Sequence, residues 1–231
     1  MSIIHLVGGE KGGVGKSVVA RVLAQYLIDH ELPFIGFDTD RSHGSLLRFY
    51  ADYASPTVVD DYQSLDAILE SAVANPDRRI LVDLAAQTHY PLSCWIDESG
   101  VLELAEELNI SLCYWNVMDS GKDCVDLLDK LLDQYGSKFN YVLVQNQLRD
   151  EAFSLLEFSG VKDKALDLNA KVMTLRRLHT PVMTKIDGNS SSFWAAKNKD
   201  LEHLNALSLL ERQRVKIWLK HAYDELDAVG V

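Results

Sequence analysis

The stretch Gly8-Gly9-Glu10-Lys11-Gly12-Gly13-Val14-Gly15-Lys16-Ser17 decides how the rest of the chain is read. It follows the pattern G-x-x-x-x-G-K-[ST], with its first glycine one residue early, at Gly9. Glycines let successive backbone N–H groups turn inward around an anion with no Cβ in the way. A helix that starts at the lysine aims its N-terminus at the same charge. The flanks agree. Residues 3–7 form a short apolar run rich in β-branched side chains and read as a buried strand. Residues 17–30 place Val19, Val22, Leu23, Tyr26 and Leu27 at helical spacing. Strand, glycine turn and helix together make a cradle for phosphate. Gly12, Gly13, Val14 and Gly15 supply its backbone, Lys16 reaches the β- and γ-phosphates of a nucleotide, and the Ser17 hydroxyl ligates Mg²⁺.

Beyond the loop, strands and helices alternate. Residues 34–37, 80–82, 110–117 and 141–144 read as strands, with 171–175 as a sixth. Residues 64–74, 101–108, 122–134 and about 200–226 read as helices, the last of them long. This alternation implies a doubly wound α/β fold, a mostly parallel sheet flanked by helices, with the whole chain 1–231 as one domain. Ligands of such sheets bind at the carboxyl ends of the strands.

Composition narrows the function. The apolar share of 47% and the charged share of 25% suit a soluble globular chain. No run approaches the ~20 apolar residues of a spanning helix. The N-terminal run goes straight into the glycine loop, so no signal peptide is expected. Cys94, Cys113 and Cys124 lack disulfide spacing and fit a reducing cytoplasm, with an iron–sulfur role as the minor alternative. The net charge of −11 opposes broad nucleic-acid binding. Residues 171–220, however, carry ten Lys and Arg against four Asp and Glu, a net of +6 that leaves −17 elsewhere. Arg212, Lys216 and Lys220 repeat every four residues and form one stripe on the last helix. Arg214 lies nearby, and Arg176-Arg177 is a second basic candidate.

The segment Lys11-Gly12-Gly13-Val14-Gly15-Lys16-Ser17 resembles the deviant Walker A signature K-G-G-x-G-K-[ST] of the ParA/MinD family of P-loop ATPases. Taken alone, Lys11 is a second cation close to the phosphates, where it can stabilise charge in a transition state. The resemblance implies more: Lys11 reaches the partner's phosphates across an ATP-bound homodimer. Phe37-Asp38-Thr39-Asp40 resembles the family's D-x-D element. One carboxylate there can hold Mg²⁺ through water while the other orients the attacking water. The resemblance implies Asp38 for the metal and Asp40 for the water. Residues 44–49 look like its switch I. Ile80-Leu81-Val82-Asp83 looks like a Walker B strand, with Asp83 in the metal shell. The Leu84-Ala85-Ala86-Gln87 that follows departs from the family's usual Thr-Pro-Pro, so slow or partner-stimulated hydrolysis is expected, and Gln87 is a candidate for placing water. Asn146 is implied as the adenine contact, because Gln147 and Asp150 do not fit the guanine-reading N-K-x-D pattern.

The implied function is an ATP-driven dimerisation switch serving plasmid partition, stability or mobilisation. Its cofactors are ATP and Mg²⁺, and the basic C-terminal region meets DNA or a DNA-bound adaptor protein. A membrane partner fits less well, because Asp224, Glu225 and Asp227 close the chain with acid. Two other functions remain open. One is a synthase of the same P-loop group acting on a small carboxylate held by Arg41, His43 and Arg48. The other is a nucleotide-binding adaptor that scarcely hydrolyses.

Overall fold

The computed structural model describes residues 2–42, 44–198 and 206–231. Its strands are β1 Ile3–Gly8, β2 Phe34–Asp38, β3 Ala54–Pro56, β4 Arg79–Asp83, β5 Ser111–Met118, β6 Asn140–Asn146 and β7 Lys171–Leu175. Its helices are α1 Lys16–Asp29, α2 Ser45–Phe49, α3 Tyr62–Ala74, α4 His89–Glu98, α5 Val101–Glu107, α6 Lys122–Tyr135, α7 Ser154–Phe158, α8 Val161–Asp167, α9 Thr180–Gly188, α10 Phe193–Asn198 and α11 Leu209–Val229.

Ile80, Leu81 and Val82 are buried in succession, as are Tyr141 to Val144, so both faces of these strands are covered. That is the signature of a parallel sheet between helical layers. The strand order is β3-β2-β4-β1-β5-β6-β7, and every pairing is parallel. The expected "mostly parallel" sheet is thus wholly parallel among the described residues. Successive strands leave β1 first toward β2 and later toward β5, which puts the switch point of the winding at the carboxyl end of β1.

Helices α1, α10 and α11 cover one face, with α11 lying on β7. Helices α3, α5 and α6 cover the other. Helix α6 shows how sequence makes such a layer. Cys124, Val125, Leu128, Leu131, Leu132 and Tyr135 fall on one side and are buried, and Gly136 stops the helix. Helix α11 starts later than expected, at Leu209. Ser208 caps it in a reciprocal box with Glu211, and Gly230 ends it in a left-handed conformation. The expected start of that helix near residue 200 falls on residues 199–205, outside the described ones. Within α11, Trp218, Leu219, Ala222 and Leu226 are buried, and the Trp218 indole donates to the Arg176 carbonyl at 2.6 Å. The helix therefore spends its apolar face on the sheet. Among the described residues no helix is long and apolar enough to cross a membrane.

Candidate nucleotide site

The glycine loop leaves β1 and enters α1 as the motif demands, and two of its glycines are required by close approach. Gly9 has φ 137°, and a side chain there would strike the Val117 carbonyl. Gly15 caps α1 with φ 95°, and a side chain there would strike the Asn146 amide. Asn146, at the end of β6, donates from Nδ2 to the Val14 carbonyl at 2.7 Å. It is buried, and this bond pins the turn of the loop to the central sheet. The residue expected to touch adenine therefore sits against the loop, with its amide nitrogen already engaged. Beside it a cavity of about 360 Å³ is lined by Val18, Asn146, Arg176, Arg177, Leu178 and Met183. Its apolar walls and rim of arginines suit a flat heterocycle.

Lys16 is buried, and its Nζ donates to the Lys11 carbonyl at 3.0 Å, across the hollow of the loop. Burial lowers its pKa, an effect opposed by the charges of Asp83, Glu10 and Asp40. Asp83 ends β4 in register with Asp38 of β2 and Val7 of β1. It is 2% exposed, and neither carboxylate oxygen has a hydrogen-bond partner. Burial first, and the Asp38 charge second, push its pKa up to about 8. The Ser17 hydroxyl lies near enough to moderate that shift without reaching hydrogen-bonding geometry. A buried, partnerless carboxylate is costly unless a cation completes it. With the Ser17 hydroxyl beside it, this pair of oxygen donors fits Mg²⁺, which takes one or two protein ligands and fills the rest with water and phosphate. Among the described residues no group of three His, Cys, Asp or Glu side chains is arranged to hold a metal, and the three cysteines are free thiols.

Asp38, the residue expected in the metal shell, also anchors a turn. Its two oxygens accept the Asp40 and Leu47 backbone amides at 3.0 Å each, which folds the 39–46 segment back over the strand end. Burial raises its pKa, and those amides restrain the rise. Asp40 is half-buried at the turn, and its carboxylate accepts the Ser42 amide at 2.9 Å. Gln87 is exposed and held in a left-handed conformation at φ 62°. Of the carboxylate clamp expected of Arg41, His43 and Arg48, the described residues include the two arginines. Arg48 stacks on Phe49 at 4.5 Å, and His43 lies outside the described residues.

Three residues that sequence reading passed over are integral to the site. Thr39 donates its hydroxyl to the Asp83 carbonyl at 3.1 Å and accepts the Ala85 amide at 2.8 Å, stitching the aspartate turn to the loop after β4. Glu10 accepts the His89 amide at 2.7 Å, tying the phosphate loop to the first turn of α4. Asp119, just beyond β5, receives the Lys11 ammonium at 3.2 Å. All three lie at or opposite strand ends, the level at which ligands of parallel sheets bind, and that position was the available signal.

No family model matches the chain. It is 24% identical to Protein TraL of Escherichia coli over the whole of both chains. It is 25% identical to Protein MobD of Acidithiobacillus ferrooxidans, over 98% of this chain and 97% of that one. Among solved structures it resembles the MinD cell division protein of Aquifex aeolicus, with a TM-score of 0.56 at 14% identity over 97% of this chain and 98% of that one. It also resembles a chain of the MinC:MinD cell division protein complex from the same organism, with a TM-score of 0.57 at 12% identity over 97% of each chain. The resemblance to the ParA/MinD ATPases that the loop suggests therefore holds in the fold: a parallel sheet between helices, with the phosphate loop after the first strand.

Proposed function

We propose that this chain is an ATP-binding and ATP-hydrolysing pairing switch of the ParA/MinD type, acting in the cytoplasm in plasmid partition, stability or mobilisation. The observation that carries the proposal is Asp83: a buried carboxylate without a partner, next to Ser17 and Lys16, at the mouth of a glycine cradle. Such a group is explained by a bound cation that arrives with a phosphate ligand.

When bound, Mg²⁺ would neutralise charge on the β- and γ-phosphates, held by Ser17 and, through water, by Asp83. The chain's own residues do the rest. Lys16 exchanges the Lys11 carbonyl for phosphate oxygens. The loop amides of residues 12–17 surround the triphosphate, and the cavity beside Asn146 takes the base. Asp40 orients the attacking water, and Asp38 keeps the turn that carries Asp40 in place. Lys11 leaves its own chain to meet the phosphates of the second copy. Arg176, Arg177, Arg214 and Lys216 are exposed and give the paired form cations for DNA or for a DNA-bound adaptor protein.

Light scattering with Mg-ATP, with Mg-ADP, and with Mg-ATP on Lys11→Ala tests the proposal. A doubling of mass with ATP alone, lost in Lys11→Ala, supports it. A mass indifferent to nucleotide while ATP still binds would sink the pairing mechanism.

A further inference from the structure

Lys11 is occupied. In the single chain its ammonium straddles both oxygens of Asp119, each at 3.2 Å, with Asp123 at 3.9 Å. The Lys11 side chain is 27% exposed and the Asp119 side chain 7%, so the pair is partly withdrawn from solvent on the carboxylate side. The surroundings keep the carboxylate in place. The Gly121 amide donates to its Oδ1 at 3.0 Å and the Cys124 thiol at 3.1 Å. Burial alone would raise the Asp119 pKa, but these donors and Lys11 outweigh it and hold the group below the usual carboxylate range. The backbone leaves room for the ammonium, since a Cβ at Gly121 would lie 2.9 Å from Lys11 Nζ. A second cation waits at the same carboxylate. Arg149, 63% exposed on the segment after β6, stands 3.8 Å from Asp119 Oδ2.

We propose that Asp119 is a positioning residue for the loop lysine: it retains Lys11 in its own chain and, when Lys11 leaves to meet a second copy, passes to Arg149. The proposal rests on the pairing function proposed above and adds a threshold to it. A lysine cannot serve a partner's phosphate while its charge is matched at home, so the Asp119 pair opposes premature pairing. Nor can a carboxylate this buried be left bare, because an unpaired charge there costs more than the pair is worth. Arg149 resolves that conflict. It is already within ion-pair reach, so a small movement of the segment after β6 closes it onto Asp119. Ser120, bonded to Asp150 on that segment at 2.5 Å, couples the two loops. The segment begins next to Asn146, which holds the phosphate loop, so the loop and the segment that carries Arg149 share one anchor.

The proposal makes predictions of opposite sign for two neighbouring residues, which a merely structural role would not do. Asp119→Asn keeps an acceptor for the Gly121 amide and removes the charge. ATP-dependent pairing, measured by light scattering across protein concentration, should tighten by roughly two- to fivefold, the range for an ion pair of modest exposure. Arg149→Gln should weaken pairing by a similar factor, with ATP affinity of the single chain unchanged. Asp119→Glu should restore wild-type behaviour. A readout independent of pairing is the rate at which an amine-selective reagent labels Lys11 in the nucleotide-free chain, followed by mass spectrometry. Asp119→Asn should raise that rate several-fold over wild type. Equal labelling overturns the proposal, and so does weaker pairing in Asp119→Asn. If neither chain pairs with ATP, the pairing function falls and the threshold falls with it. The labelling then decides only whether Asp119 holds the lysine.

Discussion

At the scale of single residues, two buried titratable groups carry opposite signs. Asp83 is an acid whose folded pKa, about 8, stands above its ordinary 3.8. Between those values the folded chain keeps a proton that the unfolded chain has lost, so nucleotide-free stability falls as pH rises across that window. Asp83→Asn should flatten that slope in thermal melts and stabilise the free protein at pH 8.5 by about 1–3 kcal/mol, the cost of a buried, unpartnered polar group. The same variant should lose about ten- to a hundredfold of the Mg²⁺-dependent part of ATP affinity by calorimetry. A variant with unchanged Mg²⁺ dependence would remove Asp83 from the metal shell. His5 is the counterpart. Trp115 Nε1 donates to its Nδ1 at 3.1 Å, so the imidazole is neutral with its proton on Nε2. Burial first, then Arg79, lowers its pKa from 6.5 to about 4. The unfolded chain binds the extra proton between those values, so this group removes stability as pH falls from 6.5 toward 4. Denaturant titrations of the wild type should lose about 2–3 kcal/mol over that window from His5, a loss that His5→Gln should not show. Sequence reading placed Asp83 correctly at a strand end but could not see that nothing would partner it. It gave no sign that His5, in an apolar run, would pair with Trp115 from a strand 110 residues away.

Among elements, the legible ones were those whose own residues suffice. β1, β4, β6 and α6 are written in continuous or periodic apolar runs, and α1 in the loop that precedes it. The missed elements depend on others. β3 has three residues, ends in Pro56 and exists only as an edge against β2. α4 carries Pro91 in its first turn, which reads as a break, although a proline is tolerated there because the first N–H groups have no helical partner. α2 is five residues long and is held by the hydrogen bond that its Leu47 amide donates to Asp38. The site is built from the junctions of these elements, and Thr39 is the junction with the least redundancy. Thr39→Val keeps shape but removes the hydroxyl that joins the aspartate turn to Ala85. We expect a stability loss of about 1–2 kcal/mol and a clear fall in ATP turnover at near-normal ATP affinity. Equal losses in affinity and turnover would mean that Thr39 supports the whole cradle rather than the aspartate turn. Gly15→Ala should abolish nucleotide binding outright, since it adds a side chain at a left-handed position in contact with Asn146.

For the whole molecule, the basic balance of residues 171–220 means less than its sum. Lys185 pairs with Glu211, Lys197 with Asp29 and Lys220 with Asp224, while Lys171 donates to the Val229 carbonyl at 2.6 Å. Arg212, in the expected stripe, is half-buried and has a partner of its own. Lys197 ties α10 to α1, Lys171 ties β7 to α11, and Lys185 ties α9 to α11, so part of the local charge is structural. Arg176, Arg177, Arg214 and Lys216 remain exposed on a chain whose net charge is −11. Counterion release scales with the phosphates neutralised, at about 0.9 per contact on duplex DNA. If this face binds DNA, one chain should contribute a salt slope of log K against log salt of roughly −2 to −4, and a pair about twice that. Fluorescence anisotropy on a random duplex at several salt concentrations, with and without Mg-ATP, measures it. Binding that appears only with ATP, with the paired slope, and that is halved in slope by Arg214→Ala together with Lys216→Ala would assign the face to DNA. A slope near zero would remove DNA as the partner of these cations.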